Sequence, residues 1–134
     1  MKSRIIKFKS HQDLSGSLVA LESNKDFPFA SERVFYIYNI AEKMSRGDHA
    51  HYKTKQLLIA LNGSCKVKLD NGFKQEIFNL DNPEIGLFQD EMIWGTMYDF
   101  SDNCILMIFA NSSYDKNDYI NEYSQFQAII KGKL

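Results

Sequence analysis

QLLIALNGSCKVKL, residues 56–69, sets two short apolar runs on either side of Asn62-Gly63. Both residues of that dipeptide tolerate positive φ, so the segment reads as a β-hairpin. Downstream, Asp70-Asn71-Gly72 turns into FKQEIFNL (residues 73–80), which again alternates apolar and polar residues. Upstream lie RIIKF (4–8), SLVALE (17–22) and RVFYIYNI (33–40), with further strands expected around 84–88, 92–94 and 103–110. Short strands at regular spacing, joined by tight turns, point to a sandwich or small barrel. The period then changes. From Asp115 onward, Tyr119, Ile120, Tyr123, Phe126, Ile129 and Ile130 fall at helical spacing, with Asp115 as N-cap and Gly132 as stop. The expected fold is all-β, a barrel over residues 1–112 followed by an amphipathic helix over 115–131.

The 134 residues make one domain the natural expectation, with 44% hydrophobic and 25% charged residues as in an ordinary globular chain. Lys plus Arg number 16 against 17 Asp plus Glu, and this balance argues against a nucleic-acid binder, which carries a basic face. No apolar run approaches the ~18 residues of a membrane span, and residues 1–8 lack the apolar stretch of a signal peptide. Cys65 and Cys104 each sit inside an apolar run and read as two buried thiols, not a disulfide. A cytoplasmic protein is expected.

Chemistry concentrates in RGDHAH, residues 46–51. On a strand, residues i and i+2 share a face, so His49 and His51 project together, toward a barrel interior. Imidazole titrates near neutrality and suits general acid–base work. Tyr36 and Tyr38 share one face of their strand, while Arg33, Phe35 and Ile37 share the other. A phenol beside an imidazole can stabilise a developing enolate. Arg33, Arg46, Lys53 and Lys55 cluster in sequence around the histidines, where cationic groups can receive a diphosphate.

His49-x-His51, then Gln56, then Gly63 resembles the first motif of the cupins, with Gln56 where metal-binding members carry Glu. The region matching their second motif, residues 86–101, contains no histidine. Two imidazoles and an amide are a poor transition-metal set, so no metal is expected. Over nearly the whole chain, GSLVALE (16–22), RVFYI (33–37), RGDHAH (46–51), LNGSC (61–65), MYDFS (97–101) and SYDKNDYI (113–120) resemble the WxcM-like dTDP-sugar 3,4-ketoisomerases, single-domain cupins related to the deoxysugar epimerases.

That resemblance implies one cupin jelly-roll domain over 1–134, a homodimer with exchanged strands, no cofactor, and dTDP-4-dehydro-6-deoxyglucose as substrate. The ketone would move from C4 to C3 through an enediol, feeding an aminotransferase that makes a 3-amino-3,6-dideoxyhexose for surface polysaccharides. It implies His49 as principal base with His51 assisting, Tyr36 donating to the sugar oxygens, and Arg46 holding the diphosphate. Arg33, Lys55, Gln56 and Trp94 complete the expected binding set. Ser15 and Gly95 are small where some members carry larger polar side chains, and both positions are expected to line the sugar pocket. A 3,5-epimerase and a non-catalytic nucleotide-sugar-binding cupin are the alternatives.

Overall fold

Strands β6 (Gln56–Asn62) and β7 (Cys65–Asp70) flank the Asn62-Gly63 turn, yet they belong to different sheets. The expected hairpin is a corner. In β6, Leu57 and Ile59 are buried on one face while Leu58 and Ala60 are buried on the other. A strand covered on both faces lies at the centre of its sheet and uses both hydrogen-bonding edges. For β6 these are taken by β9 (Ile85–Gln89) and β11 (Ile105–Ala110); for β7, by β8 (Gln75–Leu80) and β10 (Trp94–Tyr98). Gly63, at φ +66°, makes the corner, and a Cβ there would lie 2.5 Å from Asn103 Oδ1. Ser64 N–H donates to Ser101 Oγ, and Ser101 N–H to the Ser64 carbonyl, both at 2.9 Å. The tight hairpin is the next one, β7 to β8 through Asp70-Asn71-Gly72, in continuous register from Cys65 opposite Leu80 to Asp70 opposite Gln75.

This computed structural model describes residues 2–41 and 43–132. The remaining elements are β1 (Arg4–Lys7), β2 (Ser10–Asp13), β3 (Gly16–Val19), β4 (Arg33–Ile37), β5 (Arg46–His51), β12 (Tyr119–Ile120) and α1 (Tyr123–Ile130). Two five-stranded antiparallel sheets, in the orders β1-β9-β6-β11-β4 and β12-β5-β10-β7-β8, pack face to face as a jelly roll. Between them lie Leu58, Val67, Leu69, Leu80, Leu87, Leu106 and Ile108, each essentially inaccessible. Each such side chain stabilises the fold by roughly 1.5–3 kcal/mol relative to exposure. Cys65 and Cys104 are buried in the same layer as free thiols, and burial pushes Cys65 up to about 12. Phe27 and Phe29, from the segment after β3, cover the outer face of β6 and β9. The β2–β3 hairpin forms a small sheet of its own.

The helix is shorter than its sequence period suggests. Asp115 does cap a helical turn, accepting from Asn117 N–H, but that turn is a 3-10 segment, Lys116–Asp118. The chain then extends so that Tyr119 and Ile120 pair with β5, and α1 begins only at Tyr123. Helical spacing misleads here because Ile120 and Phe126 both bury under the same outer sheet face from different elements. Gly132, at φ +69°, does stop the helix, donating to the Ile129 carbonyl.

Candidate active site

The two histidines project into the space between the sheets because β5 is bulged just before them. Gly95 of β10 faces His49 while Thr96 faces Gly47, leaving Asp48 as the extra residue. Gly47 and Asp48 both have positive φ, which glycine takes freely and aspartate tolerates. Asp48 turns outward, accepting from Thr96 Oγ1 (2.9 Å) and Ser45 Oγ (3.2 Å). The bulge brings the Gly47 carbonyl within 3.1 Å of His49 Nδ1. A carbonyl only accepts, so Nδ1 of the neutral ring carries the hydrogen and Nε2 is the basic nitrogen. Bulges of this kind re-aim side chains at functional sites.

His49 and His51 meet edge to face at 4.9 Å between ring centres. A third ring joins them. Tyr119 lies opposite His51 across the β5–β12 pair, with its ring centre 4.4 Å from His51 and 4.8 Å from His49. Burial holds His49 below 6.5, opposed by the Gly47 hydrogen bond and the Asp48 charge. Burial pushes His51 down to about 4, helped by His49 and Arg33 and opposed by Asp118. His51 is 3% exposed, and its Nε2 is buried without a hydrogen-bond partner. Both rings are therefore neutral at pH 7; His49 offers its Nε2 as a base, while burial keeps His51 from taking up a proton until about pH 4.

His49 and Tyr119 line a cavity of ≈180 Å³ with Phe35, Ile37, Arg46, Gly47, Gln56, Met97 and Ile108. Apolar walls with a few convergent polar groups are the usual make-up of a small-molecule site. Arg46 supplies a cation. Arg33 packs its guanidinium over Phe35 (5.2 Å) and Tyr114 (5.9 Å), and Tyr114 in turn packs on Tyr119 (5.8 Å). Two roomier surface recesses, of ≈390 and ≈440 Å³, contain no imidazole. Among the described residues, no three His, Cys, Asp or Glu side chains are grouped to hold a metal.

Residues 1–131 match the family described as FdtA: WxcM-like, C-terminal. The chain belongs to this family. It is 44% identical over 130 residues, 97% of its length and 94% of the relative's, to the TDP-4-oxo-6-deoxy-alpha-D-glucose-3,4-oxoisomerase of Aneurinibacillus thermoaerophilus. Among solved structures, it resembles a histidine-to-asparagine variant of the 3,4-ketoisomerase QdtA from Thermoanaerobacterium thermosaccharolyticum, in complex with TDP-4-keto-6-deoxyglucose. The TM-score is 0.94 at 36% identity, covering 98% of this chain and 96% of that one. The RmlC epimerase of Mycobacterium tuberculosis shares the fold alone: TM-score 0.76, 15% identity, 87% of this chain and 66% of that one.

In this WxcM-like chain the residues expected from sequence do not all converge. His49, Arg46 and Gln56 line the cavity, with His51 behind them and Arg33 alongside. Tyr36 does not face it. Phe35 and Ile37 face inward, so alternation turns Tyr36 outward, where it is 60% exposed and stacked on Tyr38. Trp94 also points away, packed under α1 against Tyr123 and Phe126. Lys55 is engaged elsewhere, paired with Asp90 (3.0 Å) and Glu91 (3.1 Å). Ser15 sits in the exposed β2–β3 turn, bonded to Asp13. Gly95 lies beside His49, but a Cβ there would come within 2.7 Å of Gln89 Nε2, so the Gln89 carboxamide fills that space. Gln89 and Gln56 are opposite one another on β9 and β6 and both are buried. Tyr119, Gln89 and Asp118 are the site-region residues that sequence reasoning missed. The SYDKNDYI block contains Asp118 and Tyr119, but its apolar period is that of a helix and hides the place of Tyr119 on a strand.

Proposed function

We propose that this chain is a 3,4-ketoisomerase acting on TDP-4-keto-6-deoxyglucose and moving the ketone from C4 to C3. The observation that carries the reading is His49: its Nδ1 bonded to Gly47, its Nε2 left basic, and its ring in the wall of a small cavity. Membership of a family with a 3,4-oxoisomerase at 44% identity supplies the substrate class. At ≈180 Å³ the cavity is smaller than the ~300–1,000 Å³ of a site holding a whole drug-sized ligand. It therefore takes the hexose ring, and the nucleoside diphosphate stays outside, on Arg46 and Arg33.

His49 removes the hydrogen on C3, made acidic by the neighbouring ketone, and an enediolate forms. The imidazolium N–H exchanges with water, and delivery of its proton to C4 leaves the ketone at C3. His51, buried and neutral behind His49, holds the ring in place and keeps the local charge low. A 3-keto sugar is a substrate for amino transfer at C3. Residues at two free surfaces support a homodimer with exchanged strands: the β2–β3 hairpin exposes Leu14 and Leu18, and the outer strand β4 exposes Val34 and Tyr36, with Tyr38 just beyond its end. Two reduced thiols and a sugar-nucleotide substrate fit a cytoplasmic enzyme, and among the described residues no helix is long and apolar enough to cross a membrane.

Incubation with TDP-4-keto-6-deoxyglucose in heavy water tests the reading. It should give a 3-keto product deuterated at C4, and the side of C4 that carries deuterium reads the product configuration. His49→Asn should abolish turnover while the chain still binds TDP. Exchange at C5 instead would mark a 3,5-epimerase, and tight binding without exchange a non-catalytic binder; either result refutes the proposal.

A further inference from the structure

We infer that Tyr119 is a third catalytic residue, one that carries the proton from O3 to O4 of the sugar while His49 takes the proton from C3 and delivers one to C4. The inference rests on the ketoisomerase reading and divides its labour. The reaction relocates two hydrogens, one between carbons and one between oxygens. An imidazole that has just taken the C3 proton is occupied until C4 receives it, so a second group must serve the oxygens.

Three observations point to Tyr119. Its ring stands in the cavity wall with His49 and Arg46. It also covers His51, whose ring centre lies 4.4 Å away and which is not part of that wall. Its position is fixed from the neighbouring residue, because the Asp118 carboxylate accepts from Lys53 N–H (2.9 Å), Thr54 N–H (3.2 Å) and Thr54 Oγ1. These bonds tie β12 to the turn between β5 and β6. Tyr36, in contrast, faces away from the cavity.

The steps balance. His49 Nε2 takes the C3 proton, the C–H electron pair becomes the C3=C4 bond, and the carbonyl π pair moves onto O4. O4 takes the Tyr119 proton. In the planar enediol O3 and O4 sit side by side, within reach of one phenol. The tyrosinate removes the O3 proton, the O3–H pair forms the new C3=O3 bond, and the C3=C4 pair takes the proton from the His49 imidazolium at C4. Both side chains end as they began.

The test is Tyr119→Phe in the full chain, which keeps the ring and its packing. In heavy water, the ratio of deuterium wash-in at C3 of recovered substrate to 3-keto product should rise at least about tenfold. Return to C3 needs no change at O3, whereas completion at C4 does. Turnover should fall by roughly 10²–10⁴-fold, the usual contribution of a general acid–base. An unchanged ratio, whatever the rate, would show that the ring only supports His49 and would overturn the inference. His49→Asn should lose wash-in and product together. Should Tyr119→Phe fail to fold, 3-fluorotyrosine at position 119 gives the answer. The alkaline limb of its kcat profile should move to lower pH with the more acidic phenol, and an unmoved limb overturns the relay. A wild-type chain inactive on this sugar removes the ketoisomerase reading, and the relay with it.

Discussion

Lowering the pH from 7.5 to 4 should destabilise the fold by about 3 kcal/mol through His51 alone. The ring is 3% exposed with an unpartnered Nε2, and its surroundings push it down from 6.5 to about 4. The unfolded chain therefore takes up a proton below 6.5, whereas the folded chain refuses it until about pH 4. Stability from this group is complete above 6.5, is lost progressively as pH falls to about 4, and changes no further below that. At about 1.4 kcal/mol per pH unit, the interval gives about 3 kcal/mol. Other groups titrate in the same range, so the assay compares wild type with His51→Gln. Urea unfolding of both, at intervals from pH 7.5 to 4, yields a stability difference in which the shared groups cancel. That difference should be flat above 6.5 and shrink by about 3 kcal/mol by pH 4. A change of less than about 1 kcal/mol would refute the reasoning, because it would mean that His51 accepts its proton in the folded state.

The kcat/KM profile should hold its plateau at pH 7 and fall only below 6.5, since burial keeps His49 unprotonated and basic down to a lower pH than free histidine; a fall centred above 6.5 in stopped assays would contradict this. Gly63→Ala should cost roughly 2–4 kcal/mol in urea melts, combining the positive φ with a Cβ forced to 2.9 Å from Cys104 Cα. Lys55→Ala should leave kcat and KM within about twofold, since its ammonium serves Asp90 and Glu91, and should change stability by no more than about 1 kcal/mol.

Alternation and turn chemistry made most strands readable, including β7, β8 and β11, because each has one face toward the core. The shared face of His49 and His51 was readable for the same reason. What local pattern does not encode is which edge of a strand finds which partner. Asn62-Gly63 has the chemistry of a hairpin turn, yet β6 and β7 each need two other neighbours, so the chain goes round a corner. Alternation separated Tyr36 from Arg33 and Phe35 but did not say which set faces the cavity. Tyr119 was hidden because a two-residue strand is defined by its pairing with residues 50 and 51, nearly seventy positions earlier. Trp94 and Lys55 lie away from the cavity for a similar reason: α1 covers the first, and Asp90 and Glu91, some 35 residues downstream, hold the second.

The corner at Gly63 has a consequence for how the chain is made. Since β6 does not close onto β7, it waits for β9 and β11, while β5 waits for β10 and then for β12 at residues 119–120. On the ribosome, the histidines emerge with both of their flanking positions empty. Pairings across such separations form slowly and leave apolar edges open meanwhile. The imidazole pair acquires its walls only when the last fifth of the chain arrives, so a nascent chain interrupted before Tyr119 carries both histidines and no site.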